Sequence, residues 1–167
     1  IADAQAVSMS FAAADWESSD YIKEEEFARS VSLGLWDYMR KSYSYGFVIS
    51  LSGGADSSAI ASLCYLAAKL AENQLGWEAM KKRLAFIPWM DSMTNSTEFG
   101  KRFIRTLYQG TVNSSEETRA SAKTLADCIG SDHSEIQIDG LVAEYRQLIE
   151  GAIGRELSWK TDDITLQ

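Results

Sequence analysis

Apolar residues recur at helical spacing from Tyr21 to Lys41, where Phe27, Val31, Leu35, Tyr38 and Met39 form one stripe. Glu24, Glu25 and Glu26 open that segment and Lys41 closes it, an order of charge that suits the helix dipole. The pattern then changes. "GFVISL", Gly46 to Leu51, is a short apolar, β-branched run and predicts a buried strand. From Asp56 to about Asn73 the chain is apolar nearly all round, with Ile60, Leu63, Cys64, Leu66 and Leu70 among many alanines. That pattern predicts a helix packed on a sheet.

Residues 74–101 break the rhythm. Connections between a helix and the next strand usually run about 2–6 residues, and this stretch is far longer. It carries Trp77, Met80, Leu84, Phe86, Ile87, Trp89 and Met90, with a helix expected near Gly76 to Leu84. The insert reads as a packed excursion over one edge of the sheet; an oligomer contact or an active-site flap are the other readings. "RFIRTLYQG", Arg102 to Gly110, reads as a second strand, with a helical alternative because its alternation is imperfect. "NSSEETRASAKTLADCIG" predicts a helix, with a capping box at Ser114 and Glu117 and a stop at Gly130. "SEIQID" alternates as a third strand. "DGLVAEYRQLIEGAIG" predicts a last helix with Leu141, Val142, Tyr145, Leu148 and Ile149 on its apolar face. Strands that alternate with helices imply an α/β class with a parallel sheet and right-handed crossovers.

Composition narrows the partners. The chain has 167 residues, 46% of them hydrophobic, enough for one domain with a substantial core. Its net charge of -8 argues against nucleic acid or an anionic membrane surface as the main partner. No apolar run approaches the length of a membrane span. The start, "IADAQAVSMSF", has neither an initiating Met nor the basic segment of a signal peptide, and "TDDITLQ" ends on a polar run. The chain is therefore read as a piece of something longer, with residues 1–19 a linker or ragged end and residues 20–167 the domain. Cys64 and Cys128 lie in apolar helical patterns and read as buried, reduced thiols of a cytoplasmic protein. With the single His133, they do not make a metal site by spacing. His133 is expected at the start of a strand.

The candidate chemistry sits in "SGGADSS", Ser52 to Ser58, between the first strand and the second helix. In parallel sheets ligands bind at the carboxyl ends of the strands, which is where this loop falls. Gly53 and Gly54 let the backbone take unusual dihedrals and approach a ligand closely. The N–H groups of the loop and of the first helical turn would then point at one anion, reinforced by the helix dipole. Ser52, Ser57 and Ser58 add hydroxyl donors. The lysine of a G-x-x-x-x-G-K-[ST] loop is absent, and no G-x-G-x-x-G or G-x-S-x-G occurs. Asp56 would repel a phosphate unless a Mg²⁺ ion were shared between them; the other reading is that Asp56 caps the helix.

At this point the chain resembles a known family. "SGGADS" matches the S-G-G-x-D-S signature of the PP-loop ATP pyrophosphatases, or adenine nucleotide alpha-hydrolases. "KEEEFARSVSLGLWDYMRKS", "FVISLSGGADSSAIA", "LYQGTVNSSEETRASAKTLADCIG" and "TDDITLQ" are together similar to the synthetase domain of glutamine-dependent NAD synthetases, over nearly the whole chain after residue 20. The resemblance implies an incomplete Rossmann-like domain with helices on both faces of its sheet. It also implies that the glutamine-hydrolysing domain and a C-terminal half are missing, and that the complete enzyme is a homo-oligomer. The implied reaction transfers AMP from ATP to the nicotinate carboxylate of deamido-NAD, after which ammonia, supplied directly or from glutamine, displaces AMP. In that scheme Ser52, Gly53, Gly54, Ala55, Asp56, Ser57 and Ser58 hold ATP and its pyrophosphate. Asp56 binds Mg²⁺, and Ser52 and Asp56 are the catalytic residues. Tyr108 and Gln109 are candidates for the adenine site, with strand packing and a surface amide as the alternatives. Ser114 is first a cap and only second a ligand. Asp162 and Asp163 resemble residues that lead into the substrate site, or form a solvated acidic run. Another PP-loop amidotransferase, such as a GMP synthetase, and a non-catalytic nucleotide-binding module are the competing functions.

Overall fold

A computed structural model describes residues 14–158 and 160–162. Most of the stretch read as a linker, residues 1–13, lies outside them, as does Asp163. A 3-10 turn, Asp15–Ser18, leads to helix α1, Ile22–Lys41. The side of α1 that becomes buried is Ser32, Trp36 and Met39, whereas Phe27 and Tyr38 from the expected stripe are exposed. The reason lies in the partner helix, α2 (Ala55–Leu75), against which α1 packs. Ser32 is small enough to bring the two helices close, and its hydroxyl donates to the Leu63 carbonyl at 3.3 Å. On α2 the buried residues are Ala61, Cys64, Ala67, Ala68 and Ala71, while Ile60 is exposed. Alanines permit α2 to lie between α1 and the sheet without holding either away.

The sheet has three parallel strands in the order β1 (Phe47–Ser50), β2 (Ile104–Gly110), β3 (Asp132–Gln137). Phe47 pairs with Ile104 and Ser50 with Leu107; Arg105 pairs with Asp132 and Gly110 with Gln137. β2 begins two residues later than its pattern implied, because Arg102 and Phe103 complete a helix, α4 (Ser96–Phe103), capped by Asn95. β3 starts two residues earlier than expected, with His133 second in the strand. Successive right-handed crossovers that step in one direction place their helices on one face of a sheet. Accordingly Ile49, Leu51, Ile104, Thr106 and Tyr108 are buried under α2 and α5 (Glu116–Ile129), while Val48, on the opposite face, is 78% exposed. The parallel α/β architecture is as expected, but within the described residues helices cover one face and not both. Helix α6, Asp139–Ile153, has no buried residue, and its Leu141, Val142, Tyr145 and Leu148 are exposed.

The long insert is core. Helix α3 (Trp77–Arg83), a 3-10 turn (Met90–Ser92) and α4 bury Met80, Leu84, Ile87, Met90, Phe99 and Phe103. Phe99 and Phe103 stack at 4.7 Å between ring centres, Phe47 meets Phe103 edge-on at 5.4 Å, and Trp77 and Trp89 close on Phe99. This aromatic cluster seals the amino ends of β1 and β2. It is a packed excursion at the end of the sheet opposite the glycine loop, so it forms no flap over that loop.

Candidate functional site

The loop after β1 is anchored on one side by the sheet. The ladder continues one residue past the strand, where Leu51 N–H donates to the Leu107 carbonyl at 2.8 Å. Leu51 is fully buried, and the next residue is exposed. The hydroxyls then cross-link the turn. Ser52 N–H donates to Ser57 Oγ at 3.2 Å, Gly54 N–H donates to Ser52 Oγ at 3.3 Å, and the two serine oxygens lie 3.1 Å apart. The Ser57 and Ser58 hydroxyls both donate to the Gly54 carbonyl, at 3.2 and 2.7 Å. The chain turns at Gly53 with φ +81°, where a side chain is strained. A Cβ there would also meet Thr118 of α5, 2.8 Å from its carbonyl carbon and closer still to the oxygen. The loop thus rests directly on the first turn of α5.

Gly54 occupies the N-cap position of α2 and supplies no side-chain cap. A helix start leaves its first N–H groups without intrahelical partners. Here these donors belong to Ala55, Asp56 and Ser57, beside a positive dipole end. Asp56 is the second helical residue and is exposed, so it is not the cap of this helix. Ser52 and Gly54 are exposed beside it, and Gly53, Ser57 and Ser58 are partly buried. The seven loop residues therefore form one open shelf at the carboxyl end of β1.

Tyr108 and Gln109 part company because adjacent strand residues face opposite sides of a sheet. Tyr108 is only 5% exposed, with its hydroxyl 3.1 Å from Thr118 Oγ1. Gln109 is exposed, and its Oε1 accepts from Ser50 Oγ at 3.1 Å. Tyr108 lies within the core, as the strand-packing reading had it. The cap of α5 is Ser115, whose Oγ accepts from Thr118 N–H at 3.2 Å, one residue later than expected; Ser114 Oγ instead accepts from Thr111 N–H at 2.9 Å. Thr118, which meets the loop from beneath, and Ser115, which caps the helix under it, were not singled out by their sequence. The signal available was the hydroxyl pair at cap spacing in "SEET".

Asp162 is buried, not solvated. Arg155 grips its two oxygens at 2.9 and 2.7 Å, Ser158 N–H donates to it at 3.1 Å, and the Thr161 hydroxyl at 2.8 Å. The guanidinium, followed by those two donors, holds its carboxyl well below the usual carboxylate range. Cys64 is buried as expected, and burial pushes its thiol up to about 11. Cys128 is exposed, because it lies on the outer side of α5.

Among the described residues no group of three or more His, Cys, Asp or Glu side chains converges on a metal position. Asp56 alone suits Mg²⁺ only if phosphate oxygens and waters complete the coordination, a common arrangement for that ion. The groove of about 450 Å³ between α1 and α2, lined by Arg29, Trp36 and Arg40, lies away from the loop. None of the described helices is long and apolar enough to cross a membrane.

Fold and loop define a class: an α/β domain with a glycine turn and an uncapped helix start at the carboxyl edge of a parallel sheet. Residues 27–160 match the model of the NAD synthase family, and the chain belongs to that family. It is 42% identical over 146 residues to a glutamine-dependent NAD(+) synthetase of Oryza sativa subsp. indica, covering 83% of this chain and 20% of that protein. The corresponding Arabidopsis thaliana protein is 38% identical over 144 residues, again covering 83% of this chain and 20% of its own length. A crystal structure of a glutamine-dependent NAD(+) synthetase from Cytophaga hutchinsonii superposes with a TM-score of 0.76 at 42% identity, covering 87% of this chain and 26% of that one. The chain thus spans about a fifth of the length of these curated relatives.

Proposed function

We propose that this chain is the ATP-binding part of a glutamine-dependent NAD synthetase, which amidates deamido-NAD to NAD. The observation that carries the reading is the open, uncapped start of α2 behind Gly53 and Gly54, in a chain of the NAD synthase family. The N–H groups of that turn suit the pyrophosphate of ATP, and the exposed Ser52 hydroxyl adds a donor. The nicotinate carboxylate attacks the α-phosphorus, the bond to pyrophosphate breaks, and a mixed anhydride with AMP forms. Ammonia then attacks the activated carbonyl carbon, a C–N bond forms, and AMP departs with the C–O electron pair. The loop's task is to receive the charge that develops on the leaving pyrophosphate, using donors fixed before the reaction begins. Asp56 would hold Mg²⁺ against the same phosphates, and that ion would supply charge neutralisation. Adenine lies beyond the carboxyl end of β2, near Gln109. The full-length protein supplies the remaining substrate site and the glutamine-derived ammonia, and works as a homo-oligomer in the cytoplasm.

Calorimetric titration of Mg-ATP into this chain tests the nucleotide site; absence of binding would overturn it. Incubating the full-length protein with ATP and ammonia, and either deamido-NAD or xanthosine monophosphate, tests the substrate. Turnover of the second alone would replace this reading with that of a GMP synthetase.

A further inference from the structure

We infer that Tyr108 is a positioning residue that sets the pyrophosphate loop through Thr118, and that it does not contact adenine. The inference rests on the nucleotide-binding role proposed above for the loop. Gly53 lies against the Thr118 backbone with no room for a Cβ, so the height of the loop follows wherever the first turn of α5 stands. Within that turn one oxygen, Thr118 Oγ1, gathers three hydrogen bonds, while Arg119 pairs with Glu135 of β3 on the exposed side at 2.6 Å. The Thr118 hydroxyl donates to the Ser115 carbonyl at 2.9 Å. With its own proton used there, Thr118 Oγ1 accepts from the Tyr108 hydroxyl at 3.1 Å and from Ser115 Oγ at 3.1 Å. Tyr108 is the partner that comes from the sheet; the other two are the carbonyl and the hydroxyl of Ser115, the cap of α5. Its neighbour Leu107 receives the Leu51 N–H at the opposite end of the loop. Two consecutive residues of β2 therefore hold the glycine turn from both sides, one by its carbonyl and one by its phenol. If the phenol oxygen is lost, the ring still fills its place in the core, but the start of α5 loses its side-chain hydrogen bond to β2 and keeps only the exposed Arg119–Glu135 pair to β3.

The test is titration of Mg-pyrophosphate and Mg-ATP into the wild-type chain, Tyr108→Phe, Thr118→Ser and Thr118→Val, with thermal melts and amide spectra of Gly53 and Gly54 recorded alongside. Tyr108→Phe is expected to weaken both ligands equally, by roughly three- to tenfold, the scale of one buried hydrogen bond. It should also move the two glycine amide signals. Thr118→Val should reproduce the loss, and Thr118→Ser, which keeps the oxygen, should bind as the wild type does. A purely structural role would lower the melting temperature without changing pyrophosphate affinity, and that result overturns the inference. Weakened ATP binding with unchanged pyrophosphate binding would place Tyr108 at the adenine and overturn it as well. If the wild-type chain binds neither ligand, the reading of the loop itself fails, and the role of Tyr108 fails with it.

Discussion

Two adjacent glycines should respond very differently to alanine. At Gly53 the backbone has φ +81°, and an added Cβ would fall 2.8 Å from the Thr118 carbonyl carbon, where ordinary contact begins at 3.4 Å. The obstacle is backbone, so relief requires either the loop or the start of α5 to move. A non-glycine residue held in such a conformation costs about 1–3 kcal/mol, before any cost of that movement. At Gly54 the dihedrals are φ -85° and ψ 169°, ordinary extended values, and the nearest obstacle is Ser52 Oγ at 3.4 Å. Alanine is a poorer N-cap than glycine, but the loss is offset by a less flexible unfolded chain, worth about 0.4–1 kcal/mol. Each kcal/mol moves the melting temperature by roughly 2–4 °C in a chain of this size. Gly53→Ala should therefore melt at least several degrees below wild type and lose Mg-ATP affinity, while Gly54→Ala stays within about 3 °C. Scanning calorimetry and Mg-ATP titration measure both. Equal melting temperatures for the two variants, or full ligand affinity in Gly53→Ala, would refute the apposition of loop and helix.

Other expectations follow from the same geometry. Asp56→Ala should abolish amide formation by the full-length protein yet cost only about 0.3–1 kcal/mol of stability, the scale of a carboxylate at a helix start; unchanged turnover would remove Asp56 from the mechanism. Phe99→Ala should destabilise the chain by about 3–5 kcal/mol, because Phe99 is buried among Trp77, Trp89 and Phe103; a melt within 2 °C or so of wild type would contradict a core role for the insert. The depressed carboxyl of Asp162 makes its contribution fully present above the ordinary carboxylate range and lost as pH falls through the lowered value. Hydrogen exchange should therefore find the amides of Ser158 and Asp162 protected down to about pH 4, and Asp162→Asn should speed their exchange at neutral pH. Iodoacetamide at neutral pH should alkylate exposed Cys128 and spare Cys64, whose burial raises its thiol to about 11; mass spectrometry of the labelled chain reads the difference.

The order of elements was legible because each is written in local terms. An apolar β-branched run marked β1, "NSSEE" to Gly130 marked α5, and the two glycines between strand and helix marked the loop. Faces were harder. The stripe through Phe27 and Tyr38 has good helical spacing, yet α1 buries Ser32, Trp36 and Met39, because a neighbouring helix and not periodicity chooses the seam. The same holds for α2, where the alanines face inward and Ile60 faces out. The reading of Asp162 as part of a solvated acidic run fails because Arg155 reaches it once the chain has turned at Gly154.

By itself the sequence determined the strand–turn–helix unit and the alternation that makes a parallel sheet, since both rest on residue types at short, fixed spacing, and its similarity along most of the chain determined membership of the NAD synthase family. Tertiary structure alone decided that Gly53 lies on Thr118, that Tyr108 reaches beneath the loop while Gln109 faces the bare side of the sheet, and that one sheet face stays open. Those relations join residues from separate strands and helices. They exist only after the sheet has set its register and its crossovers have chosen a side, and no local pattern contains that information.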